Sequence, residues 1–495
     1  MNKIQTKKML RVLILSAIST FAVILPVDAA DTEPAKPNIL FLITDQQTFD
    51  ALGCGGNPNV KTPNLDRLAS RGMRFTKSYV AHPLCSPSRA SIFSSRMPHE
   101  LGIYGNNNTA DLRKKGVPTM GELFQTAGYE TAYAGKWHAF TAFPAYAGEP
   151  MPGFTVLPLA GKDPRNGDKI KEEKAPQCDP YIADAAVKFL RQPHAKPFLL
   201  TVSLLNPHDI CEFSSYEGFQ KILPADPMQL PALRPNLHDT DKLPSELQKE
   251  VRKRADWSDL KWRQYLWVYY QLVESTDNLI GQVLAALDQA ELSSNTIVVF
   301  TSDHGEMMGS HQLVTKEKLY EESVAVPLII APPATAPGVD RSHLISGLDL
   351  MPTLLDYAGI AIPATLEGRS LRSLVAGETV AWREFVASET YGSEARMIRT
   401  SRYKYILFAR GENREQFFDL EKNPGETNNL IANPALAVEV DRHRSLLQEW
   451  MRITGDVSGK GTQELDKANA KKQLRKKNGV NGPKPTAKNN ASDDE

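Results

Sequence analysis

The chain has 495 residues, with 58 Lys plus Arg against 58 Asp plus Glu and 41% apolar side chains. Such a composition excludes wholesale disorder, and a formal net charge of zero gives no global reason to bind nucleic acid. Four cysteines are too few for a disulfide scaffold, and the length allows roughly two to four domains or one large domain with an appendage.

The N-terminal segment reads as an address. Lys3, Lys7, Lys8 and Arg11 precede an apolar run from Val12 to Val27, which ends in Asp28, Ala29 and Ala30. A basic start, an apolar stretch and small residues form the layout of a secretory signal peptide, here residues 1–29. The run is short for a span of ~20 residues and holds Pro26 near its end. The expectation is an exported protein, periplasmic or secreted, with no stable membrane anchor.

Asn38 to Thr44 is a continuous apolar run of the kind buried on both faces of a parallel sheet, and it stops at Asp45-Gln46. Tyr129 to Ala134 stops at Gly135-Lys136-Trp137-His138, and Phe198 to Leu205 stops at Asn206-Pro207-His208. Thr296 to Ser302 stops at Asp303-His304-Gly305. Helical patterns lie between the strands, over Thr62–Arg71, Val117–Ala127 and Trp262–Gln289. Alternating strands and helices predict an α/β layered fold. Open α/β sheets bind ligands beyond the carboxyl ends of their strands, so four endings rich in metal-ligating and acid–base side chains point to an active site there.

Between these strands lies Pro83-Leu-Cys85-Ser86-Pro87-Ser88-Arg89-Ala90-Ser91. Ser86 as N-cap and Pro87 as first helical residue predict a helix running through Phe93. Cys85 then sits against a helix N-terminus that favours an anion, with the forked donors of Arg89 one turn on. A buried structural cysteine before a helix is common, so the thiol alone does not decide the matter.

Cys85-Ser86-Pro87-Ser88-Arg89 resembles the C-x-P-x-R signature of type I sulfatases, in which the cysteine is converted to formylglycine. Several other segments resemble that family in the same order. They are Asn38–Gln46, Thr62–Ala69, Gly135-Lys136-Trp137-His138, Ser302–Glu306, the stretch from His311 to Ser323 with Lys316, and Tyr403–Tyr405 with Phe418–Leu420. The resemblance runs from residue 36 to residue 445. It implies an alkaline-phosphatase-like α/β sandwich with a large central mixed β-sheet flanked by helices, plus a smaller subdomain with an antiparallel sheet. The implied boundaries are a catalytic domain over 36–375 and a C-terminal subdomain over 376–454. Residues 455–495, rich in Lys and poor in large apolar side chains, are expected to form a basic disordered tail.

The resemblance also implies a chemistry. The nucleophile is the hydrated aldehyde made from Cys85 by a formylglycine-generating enzyme. One of its hydroxyls attacks sulfur, and the other later loses its proton so that the aldehyde re-forms and expels sulfate. Asp45, Gln46, Asp303 and His304 are implied ligands of one divalent cation. Their mostly oxygen donors put calcium first, with magnesium or manganese as alternatives. Arg89 and Lys136 stabilise the hydrate, His138 takes the proton that triggers release, and His208 and Lys316 bind sulfate and protonate the leaving alcohol. Gln46 and His304 stand where many members have Asp and Asn, as in the branch of choline-sulfatase-like and phosphonate-ester-hydrolysing enzymes.

His311 is left outside the site, and Asp50 and Glu306 are assigned to solvent or to a layer behind the ligands. Two long stretches, 139–180 and 209–260, are expected as irregular pocket walls, the first carrying Arg165, Lys169, Lys171 and Lys174. Cys54, Cys178 and Cys211 allow at most one bridge. The leading expectation is a sulfatase acting on a sulfated carbohydrate. Its rivals are a phosphonate or phosphate ester hydrolase with the same nucleophile, and a non-catalytic sulfoglycan-binding protein in which Cys85 stays a thiol.

Overall fold

The computed structural model describes residues 36–106, 112, 115–139, 151–159, 175–392 and 394–457. The predicted signal peptide, the four basic residues of the first long stretch and nearly all of the predicted tail lie outside the described residues. In chain order the strands are β1 Asn38–Asp45, β2 Met73–Phe75, β3 Ser78–Tyr79, β4 Glu130–Gly135, β5 Thr155–Val156, β6 Phe198–Pro207, β7 Thr296–Ser302, β8 Leu328–Ala331, β9 Gly338–Asp340, β10 Ile345–Ser346, β11 Phe385–Thr390, β12 Ala395–Thr400, β13 Tyr403–Phe408 and β14 Glu415–Asp419.

Eight of them form one mixed sheet in the order β5-β4-β6-β1-β7-β8-β2-β9. Strands β4, β6, β1 and β7 are mutually parallel, so the four predicted polar endings leave the sheet on one edge. β8 runs antiparallel to both β7 and β2. β1 explains the continuous apolar runs. Ile39, Phe41 and Ile43 pack into the core on one face, and Leu40 and Leu42 into the core on the other. A strand between two layers has no face for polar residues.

The helices that flank the sheet include α1 Pro63–Ala69, α2 Cys85–Ser94, α3 Pro98–Leu101, α4 Met120–Thr126, α5 Ala175–Leu190, α6 Ser245–Arg252 and α7 Asp259–Gln289. Two expectations need correction. α2 starts at Cys85 with extended Leu84 as its N-cap, so Ser86 is inside the first turn rather than capping it. Neither long stretch is wholly irregular, because α5 begins at Ala175 in the first and α6 lies within the second. Strands β11 to β14 form an antiparallel sheet against which the last helix, Ala437–Thr454, packs through Val440 and Leu447. These elements belong to one compact unit with the central sheet. Asp456, assigned by composition to the tail, is buried and pairs with Arg396 of β12 at 2.5 Å.

A buried pair ties α3 to β11. The Glu389 carboxylate accepts from the His99 backbone N–H at 3.0 Å and lies 2.8 Å from its ring Nδ1. Burial alone would lower the imidazole pKa, but Glu389 outweighs it and pushes it up to about 9. A raised folded-state pKa stabilises below the unfolded value of about 6.5 and is lost as pH rises through the folded one. The shift is worth on the order of 3 kcal/mol. Denaturant midpoints of the protein and its His99→Gln variant should therefore differ most near pH 6 and converge above pH 9. A gap that stays constant across that range would contradict the charged pair.

Candidate active site

Arg89 is the hub of the polar edge. It lies on α2, one turn after Cys85, and is fully buried with no exposed surface. Its Nε donates to Asp303 Oδ2 at 2.7 Å and its Nη2 to Asp45 Oδ2 at 3.3 Å. Nη1 donates to the Lys136 carbonyl and to Ser203 Oγ, both at 2.8 Å. The guanidinium thus links α2 to the ends of β1, β4, β6 and β7. Its bonds go to the carboxylates rather than to the thiol, so Arg89 acts on the surroundings of Cys85 through Asp45 and Asp303. Lys136 Nζ also donates to Asp45 Oδ2.

Cys85 Sγ lies 3.2 Å from His304 Nε2 and 3.8 Å from Asp45 Oδ1. His138 and His208 also interact electrostatically with this sulfur. His304 Nε2 is in turn 3.7 Å from Asp45 Oδ1 and 3.6 Å from Asp303 Oδ1, while its Nδ1 lies 3.0 Å from the Gly305 carbonyl. Ligand atoms of Asp45, Cys85, Asp303 and His304 all fall within 4.8 Å of one another. Two buried carboxylates and an imidazole converging on one point fit a hard divalent cation. Among the described residues, His99, Glu389 and Asp456 form a second group with such spacing, but there Arg396 and His99 already neutralise the acids.

The turn after β4 shows how the sequence builds the edge. Gly135 has φ 103°, and a Cβ there would lie 2.0 Å from the Ser203 carbonyl oxygen, so only glycine fits. Trp137 is buried against Phe93, Tyr133 and Phe154, with ring centroids 4.9–5.9 Å apart. That aromatic anchor fixes the flanking Lys136 and His138. Gln46 and His138 carry φ of 74° and 44°. Such left-handed backbone costs about 1–2 kcal/mol for a non-glycine residue and persists where the surroundings enforce it.

The charges are unbalanced toward an anion. Burial and the Cys85 sulfur push the Asp45 carboxyl up, but Lys136, His208 and Arg89 outweigh them and hold it well below the usual carboxylate range. Burial alone would raise the Cys85 thiol, yet Lys136, Lys316 and His304 draw it well below an ordinary thiol. Burial, reinforced by Lys316, lowers the His208 imidazole to about 4. Lys316 donates to Gln46 Oε1 at 2.6 Å. Three fixed cations therefore face two carboxylates before any divalent ion is counted. A site of this kind favours an anionic group at the cysteine.

The sulfatase family model matches residues 37–360, and a model described as the C-terminal part of N-sulphoglucosamine sulphohydrolase matches residues 309–453. The chain belongs to the sulfatase family. It is 32% identical over 456 residues to the Delta 4,5-hexuronate-2-O-sulfatase of Bacteroides thetaiotaomicron, covering 86% of this chain and 91% of that one. The solved structure of a 2-O GAG sulfatase superposes with a TM-score of 0.73 at 29% identity, covering 85% and 93% of the two chains. A solved structure of a protein in complex with its substrate D-glucosamine-2-N,6-O-disulfate gives 0.68 at 26% identity, over 86% and 100%. The fold is the alkaline-phosphatase-like sandwich expected from the motifs, and the protein is a sulfuric ester hydrolase.

All ten predicted site residues of this sulfatase meet at one edge. The Gln46 amide carbonyl accepts from Lys316, and Glu306 Oε2 accepts from its Nε2 at 2.6 Å. Glu306 is fully buried, not solvated. Its Oε1 also accepts from the Tyr265 hydroxyl at 2.7 Å and the Thr315 backbone N–H at 2.6 Å. Asp50 pairs with Arg234 at 2.6 Å, and His311 lies against Asp239, both away from the cysteine. Sequence reasoning gave no role to Cys211, an exposed thiol 3.4 Å from the Gln46 amide nitrogen. All four cysteines are free.

Glu306 fixes which end of the Gln46 amide faces Lys316. Glu306→Gln should let that amide turn over and weaken divalent-cation affinity about 10–100-fold, as read by titration calorimetry. An unchanged affinity would contradict this positioning role.

Proposed function

We propose that this sulfatase is exported to the periplasm or beyond and cleaves a sulfate ester of a sulfated carbohydrate. Its nucleophile is the hydrate of a formylglycine made from Cys85 by a maturing enzyme. Asp45, Gln46, Asp303 and His304 hold one divalent cation. Their donors put calcium first, with magnesium or manganese as alternatives. The catalytic domain is taken as residues 36–375 and the C-terminal subdomain as 376–454.

The observation that carries the reading is the packing of Cys85 within 3.2–3.8 Å of His304 and Asp45 beneath fixed cations. When bound, a cation supplies Lewis-acid polarisation of a sulfate oxygen. The chain's own residues supply the rest. Arg89 and Lys136 keep Asp45 ionised, and the Arg89 fork aims Asp45 and Asp303 at one point. His138, at the sulfur position, is placed to accept a proton from the nucleophile. Lys316 and His208 stand on the open side, where a sulfate oxygen and the departing alcohol oxygen need donors. The relatives acting on a hexuronate 2-O-sulfate and on a disulfated glucosamine support a sulfated sugar as substrate.

Protein produced with a maturing enzyme should show the peptide containing Cys85 lighter by about 18 Da, the change from thiol to aldehyde. It should release sulfate from aryl and sugar sulfates faster than phosphate from an aryl phosphate. Lys316→Ala should lower kcat on the order of 10²–10³-fold. An intact Cys85 thiol in the native host, or dominant phosphate turnover, would overturn the proposal.

A further inference from the structure

The second long stretch, expected only as an irregular wall, builds a groove that starts at the catalytic edge. Its first compartment, of about 180 Å³, begins at Cys211 and Thr315 and continues past Lys253, Arg254 and Trp257. Cys211 touches Gln46, and Thr315 directly precedes Lys316, so this compartment opens one residue away from the sulfate-facing lysine. A second compartment of about 300 Å³ shares Phe213 and Ser214 with the first and carries Lys261.

The lining is selective in charge. Lys253, Arg254 and Lys261 line the two compartments, and no carboxylate does. Lys253 also pairs with Glu250 at 2.5 Å on the same helix. That pair is exposed and adjacent in sequence, hence weak and easily exchanged for another anion. Lys261 Nζ lies 4.6 Å from the Trp257 ring centroid, and the Arg254 guanidinium carbon lies 5.9 Å from it. Trp257 is itself held by Trp262, Phe213 and Tyr265. The indole thus gathers two cations on a rigid aromatic base, and a compartment of this size matches one sugar ring rather than a flat protein partner.

We infer that this groove is a second glycan subsite, taking the anionic sugar residue next to the one that bears the scissile ester, with Arg254, Lys253 and Lys261 receiving its sulfate or carboxylate. The inference rests on the sulfatase reading and sharpens it: the preferred substrate is a chain of at least two charged sugars, not a lone monosaccharide.

Two measurements test it. Heparin- and chondroitin-sulfate-derived tetrasaccharides are titrated into Cys85→Ala protein and into the same protein carrying Lys253→Gln, Arg254→Gln and Lys261→Gln. This binding needs neither cysteine conversion nor turnover. At least one tetrasaccharide should bind with a Kd raised 10-fold or more by the triple change and with a shallower dependence on salt. A desulfated, uronate-retaining chain separates the two anion sources: retained binding assigns a carboxylate, and lost binding a sulfate. In matured enzyme, the triple change should raise KM for the better tetrasaccharide 10-fold or more with little change in kcat, while kcat/KM for 4-nitrophenyl sulfate stays within twofold. Equal binding by both proteins, binding by neither, or equal losses on the long and the small substrate would overturn the subsite. Binding that follows the pattern while no sulfate is ever released would instead overturn the sulfatase reading and leave the groove standing as a glycan site.

Discussion

The structure turns on one forked contact: the Arg89 guanidinium between the buried carboxylates of Asp45 and Asp303. Two acids with no solvent access and one shared direction repel each other and cannot stay ionised alone. Arg89 makes their charge tolerable, and its remaining donors fasten the turn after β4 and Ser203 of β6. Breaking one partner of such a buried set costs about 3–5 kcal/mol, because the survivor keeps an uncompensated charge. Arg89 lies four positions after Cys85 on α2. Residues so spaced share a helix face, so the cysteine and the charge that organises its surroundings travel as one rigid piece.

The sheet does the gathering. β4, β6, β1 and β7 are parallel neighbours, so chain segments far apart in sequence release Lys136, His208, Asp45 and Asp303 along one edge. Hydrophobic packing of both sheet faces fixes that edge, and the polar residues only have to be at the strand ends. The cationic excess left there is what distinguishes a site for an anionic ester from a structural ion-pair network such as Arg396–Asp456 and His99–Glu389.

Much of this was legible in the sequence. The doubly buried strands announced themselves as unbroken apolar runs, and the helices over Thr62–Arg71, Val117–Ala127 and Trp262–Gln289 followed from periodicity, while α5 and α6 arose in stretches expected as irregular. The ten candidate site residues could be named because each stands in a short motif, most of them at a strand end or helix start. What was hidden depended on three-dimensional partners. Ser86 looked like an N-cap, but its backbone N–H is bonded by the Asn106 side chain and the helix starts two residues earlier than expected. Glu306 was left between solvent and a layer behind the ligands because nothing in the sequence shows that Tyr265, Thr315 and Gln46 converge on it. Asp456 looked like tail because its partner Arg396 lies 60 residues away. The groove beside Cys211 was invisible for the same reason: its cations come from α6, the turn after it and α7, and only the fold sets them beside Lys316.

Asp45 and Asp303, both bonded by Arg89, are placed to grip one cation beside Cys85. Diffraction from crystals grown with calcium, collected where calcium scatters anomalously, addresses this directly. A peak is expected ~2.3–2.6 Å from carboxylate oxygens of both Asp45 and Asp303. A peak elsewhere, or none there with Lys136 still seated on Asp45, would contradict the arrangement.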